Sequence, residues 1–180
     1  MSKVFIVSGP SGVGKTTIVD TLVQSEPNLC YVVSYTTRKP RHNEQHGKDY
    51  YFIERDHFEQ KVSNDDFLEY AEYSGNLYGT SKKELDRMFN NDNHSILILE
   101  TKGAAQIRRM NLSNQPQFIF IAPPSLESLS NRLQARGESN IEERLNIAEA
   151  EINEGKKYDH QVINDSLEAT VETIRTLLYQ

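Results

Sequence analysis

The sequence predicts an α/β protein: a parallel sheet flanked by helices, carrying a small mixed α/β insertion. Three observations lead there. Short apolar runs alternate with amphipathic stretches of helical period, as strands and helices do in turn. The first run opens into Gly9-Pro10-Ser11-Gly12-Val13-Gly14-Lys15-Thr16, which fits the P-loop pattern G-x-x-x-x-G-K-[ST]. Between residues 34 and 80 the rhythm breaks into shorter strands and a turn.

Taken in order, Lys3-Val4-Phe5-Ile6-Val7-Ser8 reads as a buried strand. Thr16 to Gln24, apolar at Ile18, Val19, Leu22 and Val23, reads as the helix after it. Tyr31 to Tyr35 reads as a second strand. Ile96-Leu97-Ile98-Leu99 reads as a third, and its lack of alternation fits a strand covered on both faces. Phe118-Ile119-Phe120-Ile121 is a fourth, stopped by Pro123-Pro124, and Gln161-Val162-Ile163 a fifth. Thr101 to Met110, Ser125 to Ala135 with Ser125 as N-cap, Ile141 to Tyr158, and Ser166 to Leu178 read as helices. In the middle, Tyr50-Tyr51-Phe52-Ile53 and Phe67 to Tyr73 read as strands, and Leu77-Tyr78 follows the turn Ser74-Gly75-Asn76. Asp56 to Asn64 reads as a short helix, and Ser81-Lys82-Lys83-Glu84 as a capping box opening another. We expect one domain, with a core of 1–33 and 81–180 and an insertion at 34–80.

Strand, glycine loop and helix aim backbone N–H groups and a helix N-terminus at a phosphate chain. Gly9, Gly12 and Gly14 allow a backbone path that side chains would block. Lys15 brings positive charge to the β/γ-phosphates of a nucleotide, and the Thr16 hydroxyl is the expected Mg²⁺ ligand. Pro10, Ser11, Val13 and Thr17 complete the expected nucleotide-binding stretch.

With 20 basic and 26 acidic residues the net charge is −6, which argues against a nucleic-acid surface. Two local clusters, Arg38/Lys39/Arg41 and Arg132/Arg136/Arg144, suit a small anionic ligand instead. The single cysteine, Cys30, excludes an intrachain disulfide and reads as a small core or loop residue. His42 and His46 are four apart in a polar segment, which reads as a solvated loop rather than a metal site. No apolar run approaches the ~18 residues of a membrane span. The P-loop opens at Gly9, leaving no room for a signal peptide, so the expected location is the cytoplasm.

Ser34-Tyr35-Thr36-Thr37-Arg38-Lys39-Pro40-Arg41 places two guanidinium groups just after a strand. Guanidinium suits bidentate contact with phosphate oxygens. Alone this could be a solvated basic loop. Beside a P-loop it reads as the site of a second phosphate-bearing substrate.

Together with Gly47-Lys48-Asp49-Tyr50-Tyr51-Phe52, Phe67-Leu68-Glu69-Tyr70-Ala71-Glu72, Gly75-Asn76-Leu77-Tyr78-Gly79-Thr80, Gly103-Ala104, Pro123-Pro124-Ser125-Leu126 and Val162-Ile163-Asn164-Asp165, these segments resemble the guanylate kinase family over nearly the whole chain. That family phosphorylates GMP with ATP. The resemblance implies that residues 34–80 form a GMP-binding insertion. Arg38, Arg41, Tyr50 and Tyr78 would hold the GMP phosphate, and Ser34, Glu69 and Thr80 would read guanine. A carboxylate suits guanine because it accepts from the adjacent N1–H and N2–H together, and adenine offers no such donor pair. Lys15 with Arg132, Arg136 and Arg144 would carry catalysis around the transferred group, and Asn164 would touch adenine.

The chain departs from the family pattern in two places. Ile98 and Lys102 stand where the family carries an acid and a glutamine. Glu100 alone remains, for the guanine amino group or for water on Mg²⁺. The lid from Arg136 to Arg144 is also shorter than the pattern. The implied partners are the small molecules ATP and GMP, with no nucleic acid and no membrane; homo-oligomer formation stays open. Two other readings stay open: a paralogue with a different phosphorylated acceptor, and a non-catalytic binding module. Glu69 and Thr80 weigh against the first, and the intact Lys15 and Thr16 against the second.

Overall fold

The central apolar runs form strands covered on both faces, and shorter, more exposed strands form the edges. The computed structural model describes residues 2–84, 93–110, 112 and 115–180. In it, β1 (Val4–Ser8) is buried along its whole length. Phe5 and Val7 face one hydrophobic cluster, and Val4 and Ile6 the other. The main sheet adds β2 (Leu29–Tyr31), β7 (His94–Ile98), β8 (Gln117–Ala122) and β9 (His160–Ile163) in the order β2-β7-β1-β8-β9. Every pair in it is parallel.

Helices close both faces. On one side α1 (Lys15–Ser25) buries Ile18, Val19 and Leu22, and α6 (Leu167–Leu178) buries Val171, Ile174 and Leu178. That cluster also takes Leu129 and Leu133 of α4 (Leu126–Ala135) and Ala148 of α5 (Ile141–Gly155). On the other side α3 (Thr101–Arg109) brings Ala104 and Ile107 against Val4, Ile6 and Phe118. The expected N-cap is present: the Ser125 hydroxyl accepts from Ser128 N–H at 3.0 Å; Ser166 caps α6 in the same way, accepting from Ala169 N–H at 3.3 Å.

The middle of the chain builds a second sheet, ordered β4-β3-β6-β5. Its strands are β3 (Tyr35–Thr36), β4 (Tyr51–Phe52), β5 (Phe67–Tyr73) and β6 (Asn76–Ser81). With α2 (Arg55–Ser63) it encloses a small core of Phe58, Phe67 and Leu77. Phe58 and Phe67 stack with centroids 4.4 Å apart.

Two expectations need correction. The strand read from Tyr31 to Tyr35 is two strands in different sheets. Tyr31 pairs with Ile96 in the main sheet, while Tyr35 pairs with Tyr51 and Gly79 in the second. Val32 N–H still bonds the Ile96 carbonyl, and the chain crosses between sheets after it. The helix read to Tyr158 ends at Gly155, whose hydrogen faces the Phe120 ring. Residues 82–84 open in helical conformation after Ser81, and the rest of that predicted helix falls at 85–92, outside the described residues.

Gly155 generates a stability prediction. A Cβ there would sit 2.5 Å from Cδ1 of buried Phe120. Gly155→Ala should destabilise by about 1–3 kcal/mol through overpacking, although alanine favours helix. A lowered urea midpoint with unchanged slope is the expected result.

Candidate active site

The loop after β1, the ends of β3 and β6, and the segment after β7 meet around one cleft of about 480 Å³. Lys15, Thr16 and Thr17 line it from the glycine loop, Arg38, Arg41, Tyr50 and Tyr78 from the second sheet and its loops, Glu100 from the main sheet, and Arg136 and Arg144 from the lid.

The loop wall is shaped by glycine. Gly12 and Gly14 have φ of +86° and +104°, in the left-handed region. A Cβ on Gly14 would lie 2.8 Å from Asn164 Nδ2. Helix α1 starts at Lys15 with no side-chain cap and no acid in its first turn. Its unshared N–H groups and partial positive charge therefore suit an anion. The Lys15 ammonium donates to the Gly9 carbonyl and, at 3.3 Å, to that of Pro10.

On the facing wall Arg38 makes a two-pronged ion pair with Glu44, at 2.8 and 2.9 Å. Its guanidinium lies over Tyr50 and Phe52. Glu44 also accepts from the Arg41 N–H at 2.7 Å. Partial burial pushes the Glu44 carboxyl up, but Arg38 and Arg41 together outweigh it and hold the group below the usual carboxylate range. Tyr50 and Tyr78 meet edge to face at 6.0 Å, and burial raises both phenols above their ordinary values.

Behind the tyrosines is a small recess bounded by Ser34, Glu69, Ala71, Ile98 and Glu100. Ser34 and Thr80 share a buried hydroxyl contact at 3.2 Å. Glu69 is 3 % exposed and sits opposite Thr80 across the β5–β6 pair. Its Oε2 packs where a Cβ on Gly103 would stand, so the glycine makes room for the carboxylate. Glu69 Oε1 and Glu100 Oε2 are buried without hydrogen-bond partners. Burial raises the Glu69 pKa to about 7; Thr80 opposes the shift and the Glu100 charge adds to it.

Asn164, Arg132 and Arg136 line a neighbouring pocket of about 390 Å³ with Gly12, Val13, Gly14 and Thr17. Arg132 departs from expectation. It lies behind the loop, outside the cleft, and donates to the carbonyls of Val13 (3.2 Å) and Asn164 (2.9 Å). Arg136 is exposed at the rim of both spaces. Arg144 donates to Ser11 Oγ at 3.2 Å and pairs with Glu138 at 2.8 Å.

Sequence reasoning missed Glu44, Glu138, Tyr73 and Glu151. Glu44 carried a weak signal, standing three residues after Arg41. Glu151 carried another: an acid three residues after buried Ala148, on the inward face of α5. Both of its oxygens are buried without partners, and burial with the nearby Glu100 charge raises its pKa to about 7. Tyr73 and Glu138 carried no local signal. Among the described residues no cluster of His, Cys, Asp and Glu could cage a metal ion, and no helix is long and apolar enough to cross a membrane.

The family model described as guanylate kinase matches residues 1–180. A guanylate kinase of Protochlamydia amoebophila is 44% identical over 177 residues, covering 97% of this chain and 88% of that one. One from Nitrosomonas europaea is 40% identical, covering 99% and 89%. The crystal structure of guanylate kinase from Anaplasma phagocytophilum superposes with a TM-score of 0.83 at 32% identity, covering 99% of this chain and 85% of that one. With the glycine loop and the facing arginines around one cleft and the glutamate in the recess behind it, the chain belongs to the guanylate kinase family, within the P-loop nucleoside monophosphate kinases.

Proposed function

We propose that this chain transfers the γ-phosphoryl group of ATP to a phosphate oxygen of GMP, giving ADP and GDP. The observation that carries the reading is the cleft itself: Lys15 and Thr16 line it together with Arg38 and Arg41, and the Glu69 recess opens beside the same tyrosines. In this reading residues 34–80 hold the acceptor and 136–144 form the lid. Arg38, Arg41, Tyr50 and Tyr78 take the acceptor phosphate, with Glu44 releasing the guanidinium groups. Glu69 accepts from guanine N1–H and N2–H, and Ser34 and Thr80 border that edge. The unpartnered oxygens of Glu69 and Glu100 fit a ligand that brings donors.

On the donor side the α1 N-terminus and Lys15 hold the β/γ-phosphates. Lys15 leaves the Gly9 and Pro10 carbonyls to do so. Arg136 and Arg144 place positive charge where the equatorial oxygens develop charge. Arg132 acts one step back, fixing the loop through the Val13 carbonyl, and Asn164 borders the space for adenine. The residues fit Mg²⁺. Thr16 presents a hydroxyl to the cleft, and Mg²⁺ on a phosphate chain needs few protein ligands because it keeps several waters. When bound, the ion neutralises charge on the β- and γ-oxygens. A reaction between two soluble nucleotides fits a cytoplasmic enzyme.

A coupled ADP-release assay with ATP, Mg²⁺ and four nucleoside monophosphates tests the reading. GMP should turn over, and AMP, CMP and UMP should not. Equal turnover of AMP would reject the role of Glu69, and turnover of none would reject the reaction.

Lys15→Met removes charge from the transferred group and should lower kcat by ~10²-fold or more. Arg41→Met should mainly weaken GMP binding, by roughly 1.5–3 kcal/mol for a lost charged hydrogen bond. Unchanged turnover in Lys15→Met would rule out the loop as the phosphate site.

The Glu69 carboxyl gives a pH prediction. Its pKa in the empty site is about 7, and guanine requires the ionised form. As pH falls below 7, KM for GMP should rise by up to roughly tenfold per pH unit. Glu69→Gln should lose that step while keeping the titration of the GMP phosphate itself. The raised value also means that the folded protein holds a proton the unfolded chain releases. Stability from this group is therefore present below its ordinary 4.5 and is lost as pH rises to about 7. Glu69→Gln should remove its share of the fall in thermal midpoint across that window, leaving the share that Glu151 contributes over the same range.

A further inference from the structure

Glu138 belongs to neither substrate segment, yet its carboxylate lies among the arginines assigned to phosphates. Its Oε2 is 2.8 Å from Arg144 Nη2, and its Oε1 is 3.5 Å from Arg41 Nη2. The other terminal nitrogen of Arg144 reaches Ser11 of the glycine loop. One carboxylate thus joins the acceptor segment, helix α5 and the loop. Glu138 and Arg144 keep only 20% and 21% of their side-chain surface, so water screens this pair weakly. Glu44 is different, because its partners Arg38 and Arg41 lie in its own segment. Glu138 sits between α4 and α5, flanked by Gly137 at φ +68° and Asn140 at φ +56°.

We propose that Glu138 couples the binding of the two nucleotides: it stands in for a phosphate between Arg41 and Arg144, and whichever nucleotide binds first displaces it for both. The inference rests on the assignment of Arg41 to the acceptor phosphate and Arg144 to the donor side. A carboxylate and a phosphate offer guanidinium the same pair of acceptor oxygens. An arginine engaged by Glu138 must let go before it can take a phosphate, and an arriving phosphate repels the carboxylate. The first nucleotide bears that displacement, and the second meets arginines already released. A penalty borne once by two ligands is positive coupling, equal in both directions.

Calorimetric titration of GMP, alone and with a saturating non-hydrolysable ATP analogue plus Mg²⁺, tests this. In the natural protein the analogue should lower the Kd of GMP on the order of fivefold. In Glu138→Gln GMP should bind tightly in both conditions, and the coupling should vanish. Glu142→Gln removes an exposed acid from the first turn of the adjoining helix α5 and should keep the natural coupling. Natural coupling in Glu138→Gln, its loss in Glu142→Gln, or none in the natural protein would each overturn the proposal. Arg41→Met separates the two levels. Undiminished GMP affinity there would remove the assignment beneath the proposal. Lost affinity there, with coupling intact in Glu138→Gln, would overturn the proposal alone.

Discussion

The carbonyl of Val13 is the point from which the site is hung. It accepts from Asn164 Nδ2 at 2.7 Å and from Arg132 at 3.2 Å. Asn164 is fixed in turn: its N–H bonds the Ala122 carbonyl, and its Oδ1 accepts from Thr170. The glycine loop is therefore tied to β8, β9, α4 and α6 at once. A loop with three glycines has many conformations to lose, and a phosphate could not bind well if it had to order them itself. The scaffold orders them beforehand. This is also why an arginine read as catalytic lies behind the loop: its guanidinium acts on backbone carbonyls.

A second constraint follows from the parallel sheet. Both faces of β1 and β7 are covered, so polar groups concentrate where the strands end. Ile98 and Glu100 stand two residues apart there; both border the cleft, and Ile98 also packs into the core. Glu151 approaches the same region from α5. The two carboxylates feel each other's charge, but Glu151 lines neither the cleft nor the recess behind it.

The sequence was most legible where local chemistry decides the outcome. The glycine loop, the capped starts of α4 and α6, and the unbroken apolar runs each carry their own signal. The strand from Tyr31 to Tyr35 did not resolve, because an apolar, β-branched run supports pairing with either sheet; only tertiary contacts place Tyr31 beside Ile96 and Tyr35 beside Tyr51. Among site residues, motif positions were legible and counter-ions were not. Glu44 and Glu138 matter through what they face across space, and nothing in a lid sequence says which arginine a glutamate will meet. Gly103 is intermediate: the motif marks it, but its reason, room for the Glu69 carboxylate, exists only in the fold.

The two ends of the proposed acceptor meet opposite electrostatic arrangements. At the phosphate end, cations are held by anions that can leave. At the base end, a carboxylate is held with an oxygen unpartnered and its charge suppressed by burial. Each arrangement makes the empty site less comfortable than the filled one. At one end an ion pair must be exchanged, and at the other a desolvated acceptor waits for donors. A ligand lacking the phosphate cannot exchange the first, and one lacking adjacent N–H donors cannot satisfy the second. Selectivity then comes from how badly wrong ligands leave these groups, which discriminates more sharply than added contacts to the right one.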